Sequence, residues 1–209
     1  MIDGPQTGIF TIGHSNLEPE QLLLALKLHS VALLGDVRSR PASGRFPQFN
    51  REPLEYFLRE AGIRYEFLGE ELGGRPDDPR AYRSNGMVDY VKRRESRQFQ
   101  GGIERAVALG GSENIALLCA EEDPIECHRF LLVSPALVAA GITPQHIRRR
   151  GVLESQSEAE DRLLDLHGFT DVKSDALFAS GREAALVDAL RLQSEKFAFR
   201  VAPEALESF

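Results

Sequence analysis

The chain has 209 residues, 42% of them apolar and 27% charged, with a formal net charge of −7. These are the proportions of an ordinary globular protein long enough to bury a core of its own, and they exclude a collagen-like or wholly disordered chain. No stretch approaches the roughly 18 apolar residues of a membrane helix, MIDGPQTGIF has neither the basic start nor the apolar middle of a secretory leader, and two cysteines cannot make a disulfide framework. A reduced cytoplasmic protein without membrane contact is the expectation.

Residues 8–13, GIFTIG, read as a short strand ending at Gly13. Residues 18–28 follow as a helix, with Leu22, Leu23 and Leu26 at helical spacing and Pro19 in the first turn. A second apolar strand covers 31–37, and 38–50 is a loop by its prolines, glycine and serines. Then come a helix over 52–61, a strand over 63–68, a Gly/Pro-rich loop over 69–80, and helical pattern over 87–109 with Gly101-Gly102 as the expected break. Residues 114–119 form a fourth strand, 124–140 a helix, and 145–147 a short fifth strand. Residues 154–167 and 182–196 read as further helices. Strands that are continuous apolar runs, alternating with helices, predict an α/β fold: a three-layer, largely parallel sheet with helices on both faces. Residues 1–150 make this core domain and carry 19 Lys/Arg against 20 Asp/Glu, whereas residues 151–209 carry 6 against 12 and make an acidic helical C-terminal extension.

In an open parallel sheet, ligands bind beyond the carboxyl ends of the strands. Those ends are followed here by Gly13-His14-Ser15-Asn16, by Asp36-Val37-Arg38, by Gly69 to Arg75, and by CAEEDPIECHR over residues 119–129. In the last of these Asp123 resembles an N-cap, Pro124 a first helical residue, and Glu126 the partner in a capping box. Cys127, His128 and Arg129 then fall in the first two turns, where a thiol beside His and Arg ionises more easily and an anion is welcome. Cys119, ending a strand, reads first as a buried structural cysteine. The seven-residue gap to Cys127 is not a zinc-knuckle spacing, so no metal is assigned and no cofactor follows from the residues. The acids of the 120–123 loop would repel an oxyanion at Cys119, which disfavours persulfide or phosphocysteine chemistry there and suits Glu121 to general acid–base work or to holding an arginine or a ribose hydroxyl. Arg38, Arg40 and Arg45 with Phe46 and Phe49 could bind a nucleotide or a single strand, or could simply pack. Arg148-Arg149-Arg150 reads as a solvated face.

Together, TIGHS (11–15), DVRSRPAS (36–43) with Phe46, LGEELGG (68–74) and LLCAEEDPIECHR (117–129) resemble the bacterial and archaeal family called domain of unknown function 488, over roughly residues 8–150. The resemblance implies a small α/β domain and no particular reaction. It puts signature positions at Gly13, His14, Ser15, Asp36, Arg38, Pro41, Ser43, Phe46, Gly73, Gly74, Cys119, Glu121, Cys127, His128 and Arg129. The expectation is an enzyme acting on a phosphate-bearing substrate, an anionic small molecule such as a nucleotide or a nucleic acid. Glu121, Asp36, Cys127 and His128 would be its catalytic residues, and His14, Ser15, Arg38, Ser43 and Arg129 would bind the substrate. The alternatives are a non-catalytic nucleotide- or nucleic-acid-binding module and a thiol- or metal-dependent redox protein.

Overall fold

A computed structural model describes residues 8–170 and 179–208. The first seven residues, read above as carrying no leader, and part of the polar linker before the last helix lie outside the described residues. Six strands form one sheet: β1 (Ile9–Gly13), β2 (Leu33–Asp36), β3 (Arg64–Phe67), β4 (Ile115–Cys119), β5 (Gln145–Ile147) and β6 (Leu153–Ser155). Their order is β3-β2-β4-β1-β5-β6, parallel except for β6, which runs antiparallel to β5.

The two sheet faces bury separate clusters. One holds Leu22 and Leu26 of α1 (Pro19–Leu28) with Leu54 and Leu58 of α2 (Arg51–Glu60). The other face is covered by the single turn α3 (Gly69–Leu72), α4 (Tyr90–Glu95), α5 (Arg97–Gly110), α6 (Ser134–Ala139), α7 (Gln156–Leu166) and α8 (Ala179–Phe197). Central β4 is buried throughout: Ile115, Leu117 and Cys119 join this second cluster, while Ala116 and Leu118 join the first. That alternation aims Cys119 at the α5–α6 face. The acidic C-terminal segment packs there too, with Ala185 and Ala189 in the same cluster as Phe130 and Leu131. Among the described residues no helix is long and apolar enough to cross a membrane.

The loop expected over 69–80 opens with the helical turn α3, and three further elements differ from the sequence expectation. The break in the 87–109 region falls at Ser96, whose side chain accepts from the Phe99 N–H and starts α5. Gly101 and Gly102 lie inside that helix, and a Cβ on Gly102 would come within 2.5 Å of Glu71 Cβ, so this glycine permits α3 to approach. Leu153–Ser155 is an edge strand rather than the start of a helix, and Ser155 and Glu158 form a capping box that opens α7.

The third difference bears on the site. The helix expected over 124–140 is interrupted. Asp123 caps only a single 3-10 turn, Pro124–Glu126, and Cys127 is extended at φ −133°, ψ 146°. The helix proper starts after it, with Phe130 N–H and Leu131 N–H both donating to the Cys127 carbonyl at 3.0 Å. It begins as a π turn, Arg129–Val133, before α6. Pro135 has no N–H for the Leu131 carbonyl four residues back, and that carbonyl accepts from Arg94 at 3.4 Å instead. Cys127 therefore sits at the N-cap of the helix rather than inside it, and Glu126 lines a pocket.

Candidate functional site

The strand ends are tied together by backbone. His14 N–H donates to the Cys119 carbonyl (3.0 Å), Ser15 N–H to Ala120 (2.7 Å) and Val37 N–H to Leu118 (3.1 Å). A Cβ on Gly13 would stand 1.7 Å from the Glu121 carbonyl oxygen, so only glycine lets β1 and the loop after β4 come this close.

Two polar groups occupy this rim. The first is built on Asp36, fully buried. Its carboxylate accepts from Arg38 Nε (2.9 Å), Arg38 NH2 (2.6 Å), the Arg38 N–H (3.1 Å) and the Tyr65 hydroxyl (2.8 Å). Arg38 also donates to the Phe49 carbonyl (2.9 Å) and to His14 Nε2 (3.1 Å). A guanidinium can only donate, so His14 Nε2 is the acceptor and its Nδ1–H donates to the Ser15 carbonyl at 3.0 Å. Burial first, and then the Arg38 charge, lower the His14 pKa to about 4, so the ring is neutral at neutral pH. It stacks on Phe49 with centroids 4.5 Å apart. His14, Asp36 and Arg38 are thus brought together, but their hydrogen bonds are spent on one another.

The second group is the cysteine–histidine cluster. His128 Nε2–H donates to the Val37 carbonyl at 2.9 Å, which turns Nδ1 toward both sulfurs. Nδ1 lies 3.3 Å from Cys119 Sγ and 3.8 Å from Cys127 Sγ. Cys119 donates its S–H to Glu121 Oε2 at 3.0 Å. Gly74 supplies the floor: a Cβ there would meet the His128 Cβ and Cγ at 3.0 Å. Burial pushes the Cys119 thiol well up, and Cys127 and Glu121 add to this. Burial would raise Cys127 as well, but its contact with Cys119, the Arg129 charge and His128 outweigh it and hold Cys127 well below the usual thiol range. Burial would lower His128, and contact with Cys127 reverses that shift upward. Glu121 belongs to an exposed loop, yet its carboxylate tip turns in against Cys119; burial of that tip, then the charge of Cys127, raises its pKa.

Arg129 is fully buried and donates to the carbonyls of Glu121 and Glu122 (2.5 and 2.7 Å), so it braces the loop that carries Glu121. Ser43 lies apart from the cluster: its hydroxyl accepts from the N–H groups of Arg45 and Phe46, both at 3.2 Å, and shapes the loop after β2. Ser15 adopts a left-handed φ of 42° at the rim, with its hydroxyl 3.5 Å from Asn16.

Cys119, Cys127, His128 and Glu121 line a pocket of about 190 Å³ together with Arg38, Arg40 and Arg75. Ligand pockets usually span about 300–1,000 Å³, so this one has room for the reacting end of a molecule rather than the whole. Among the described residues, the side chains of Arg40 and Arg75 have no acidic partner; both are exposed, and Arg75 lies over the Phe199 ring at 4.5 Å. A larger cavity of about 510 Å³ opens beside α1 among Leu17, Leu24 and Leu28, but neither cysteine lines it. The sequence reading put Arg75 at a strand end without giving it a role, and it missed Tyr90, Phe197 and Phe199 as pocket walls. The one signal for the last two was an aromatic pair, Phe-Ala-Phe, where an otherwise acidic helix ends.

A family model described as domain of unknown function DUF488 matches residues 18–135, which is more than half of the chain. That span holds the Asp36, Gly73-Gly74 and Cys119–Arg129 motifs and begins after His14. No curated protein and no solved structure matches the chain.

Proposed function

The chain belongs to the DUF488 family, and from that premise we propose that it is an enzyme acting on a phosphate-bearing, anionic substrate in the crevice beyond β2 and β4, with Glu121 as the group that moves the proton. One observation carries this reading: the Glu121 carboxylate, held by Cys119, lines one pocket with Cys127, His128 and two arginines, Arg40 and Arg75, that have no acidic partner among the described residues. The size of the pocket supports entry of a phosphoryl-sized group. Arg40 and Arg75 would take its charge, and Phe199 would lie against the remainder. Arg38 and Arg129 act one step back, by fixing the walls. Glu121 takes the acid–base role in preference to Asp36, whose carboxylate already accepts four hydrogen bonds.

The test is a panel of nucleotides and nitrophenyl phosphate mono- and diesters, read for turnover and for thermal stabilisation, on the wild-type chain and on Glu121→Gln. A compound that saturates the site should stabilise both chains, and the variant should turn it over about a hundredfold more slowly or worse. Stabilisation without turnover in either chain would make the protein a binding module and overturn the proposal. Equal turnover by the two chains would remove Glu121 from the chemistry.

A further inference from the structure

The His128 ring presents one Nδ1 to two sulfurs, at 3.3 and 3.8 Å. With its Nε2–H donated to Val37, the ring has one Nδ1 lone pair, which can accept from only one of the two thiols at a time. A cation at the centre would use all three donors at once. The three ligand atoms lie within 4.8 Å of one another. Tetrahedral zinc, with bonds of about 2.3 Å to sulfur and 2.0 Å to nitrogen, sets edges of about 3.8 Å between sulfurs and about 3.5 Å between sulfur and nitrogen. The two observed sulfur–nitrogen distances bracket that second edge. His128 also donates its other ring N–H to a backbone carbonyl, the usual way a metal-binding histidine is oriented. Cys119 comes from the end of β4 and Cys127 from a helix N-cap, and the 3-10 turn Pro124–Glu126 folds the intervening chain back. The long spacing in sequence is therefore no obstacle.

We propose that Cys119, Cys127 and His128 bind one zinc-class divalent cation through two thiolate sulfurs and Nδ1, leaving the fourth position open to the pocket beside Glu121. Two sulfurs and an imidazole select a soft or borderline ion over magnesium or calcium. An open position is the arrangement of catalytic rather than structural zinc. The catalytic role of the ion rests on the function proposed above, but its binding does not.

The full chain, purified reduced and then dialysed against zinc(II), should retain one zinc per chain, while magnesium should not be retained. Cobalt(II) should give a sulfur-to-metal charge-transfer band and the strong visible bands of a tetrahedral site. Cys119→Ser and Cys127→Ser should each abolish the band, and Glu121→Gln should keep it. Should a serine variant fail to fold, the wild-type chain still decides: zinc, and not magnesium, should protect both thiols from iodoacetamide. A folded, reduced wild-type chain that shows no charge-transfer band, or whose thiols react equally with and without zinc, overturns the site. Loss of turnover in Glu121→Gln without any metal would leave the enzymatic reading standing. A cobalt band with turnover untouched by Glu121→Gln would do the reverse.

Discussion

His146 offers a quantitative test of the buried polar structure beneath the site. It lies on β5, fully buried, with the Thr11 hydroxyl 2.8 Å from Nδ1 and Gln156 Oε1 3.0 Å from Nε2. The Gln156 amide nitrogen donates to Glu160 at 3.0 Å, so its oxygen faces His146 and accepts from Nε2–H. Nδ1 is then left to accept from Thr11, and the ring is satisfied only while neutral. Burial first, and then the Arg129 charge, lower its pKa from 6.5 to about 3. Below pH 6.5 the unfolded chain takes up a proton that the fold refuses. The stability that neutral His146 contributes is therefore fully present above that pH and is lost as the pH falls toward 3, by about 1.4 kcal/mol per pH unit. At pH 4.5, two units below the unfolded value, the loss is about 2.7 kcal/mol. The assay is urea unfolding of the wild type and His146→Gln at pH 7.5 and 4.5. Carboxylates titrate in both chains and cancel in the difference, so the wild type's advantage over the variant should shrink by that amount. A difference constant to within about 0.5 kcal/mol would refute the buried neutral histidine.

Asp36→Ala should cost about 3–5 kcal/mol in urea unfolding, because it strands the Arg38 guanidinium in a buried site. Tyr65→Phe, which removes only one of the four donors to Asp36, should cost about 1 kcal/mol, and equal losses would contradict the network. Gly13→Ala drives a methyl against the Glu121 carbonyl and should cost about 3 kcal/mol or more; an unchanged melting temperature would show that the loop yields freely.

The fold and the convergence of the strand ends were legible because both follow from local pattern. Apolar runs such as Ile115–Cys119 announce buried parallel strands, and in such a sheet the residues after each run share one edge. Asp36 and Arg38 pair across two residues at a strand end, whereas the sequence reading gave Asp36 to catalysis and Arg38 to substrate binding. What escaped was whatever depended on a partner distant in sequence. Asp123-Pro124 carries the signals of a long helix, but Asp123 is also drawn into ion pairs with Arg148 and Arg162, and the turn it opens stops after Glu126. Gly101-Gly102 reads as a break because glycine weakens helices, whereas Gly102 is small to let α3 pack. Arg75 was visible only as part of a strand-end loop, and the ring it lies over, Phe199, is more than a hundred residues away.

That distant contact bears on how the site is assembled. The chemistry-bearing residues Asp36, Cys119, Glu121, Cys127 and His128 all lie inside the family match, but one wall of the pocket lies beyond it. Val88 N–H donates to the Phe199 carbonyl (2.9 Å) and Val201 N–H to Gly86 (3.0 Å), which lays the segment after α8 along the loop before α4 and holds Phe197 and Phe199 at the mouth. From the same helix, Gln193 Nε2 donates to the Ile125 carbonyl at 3.1 Å, inside the turn that sets Cys127 at its N-cap, and Gln193 is itself fixed by His167 of the α7 end at 3.0 Å. The acidic segment thus acts on the site twice, once as a steric wall and once through the turn that aims a thiol. In the proposed reading the strand edge supplies the reactive groups, and the C-terminal helix sets the space in front of them. A change in α8 can therefore alter which molecule enters without touching any residue that would react with it.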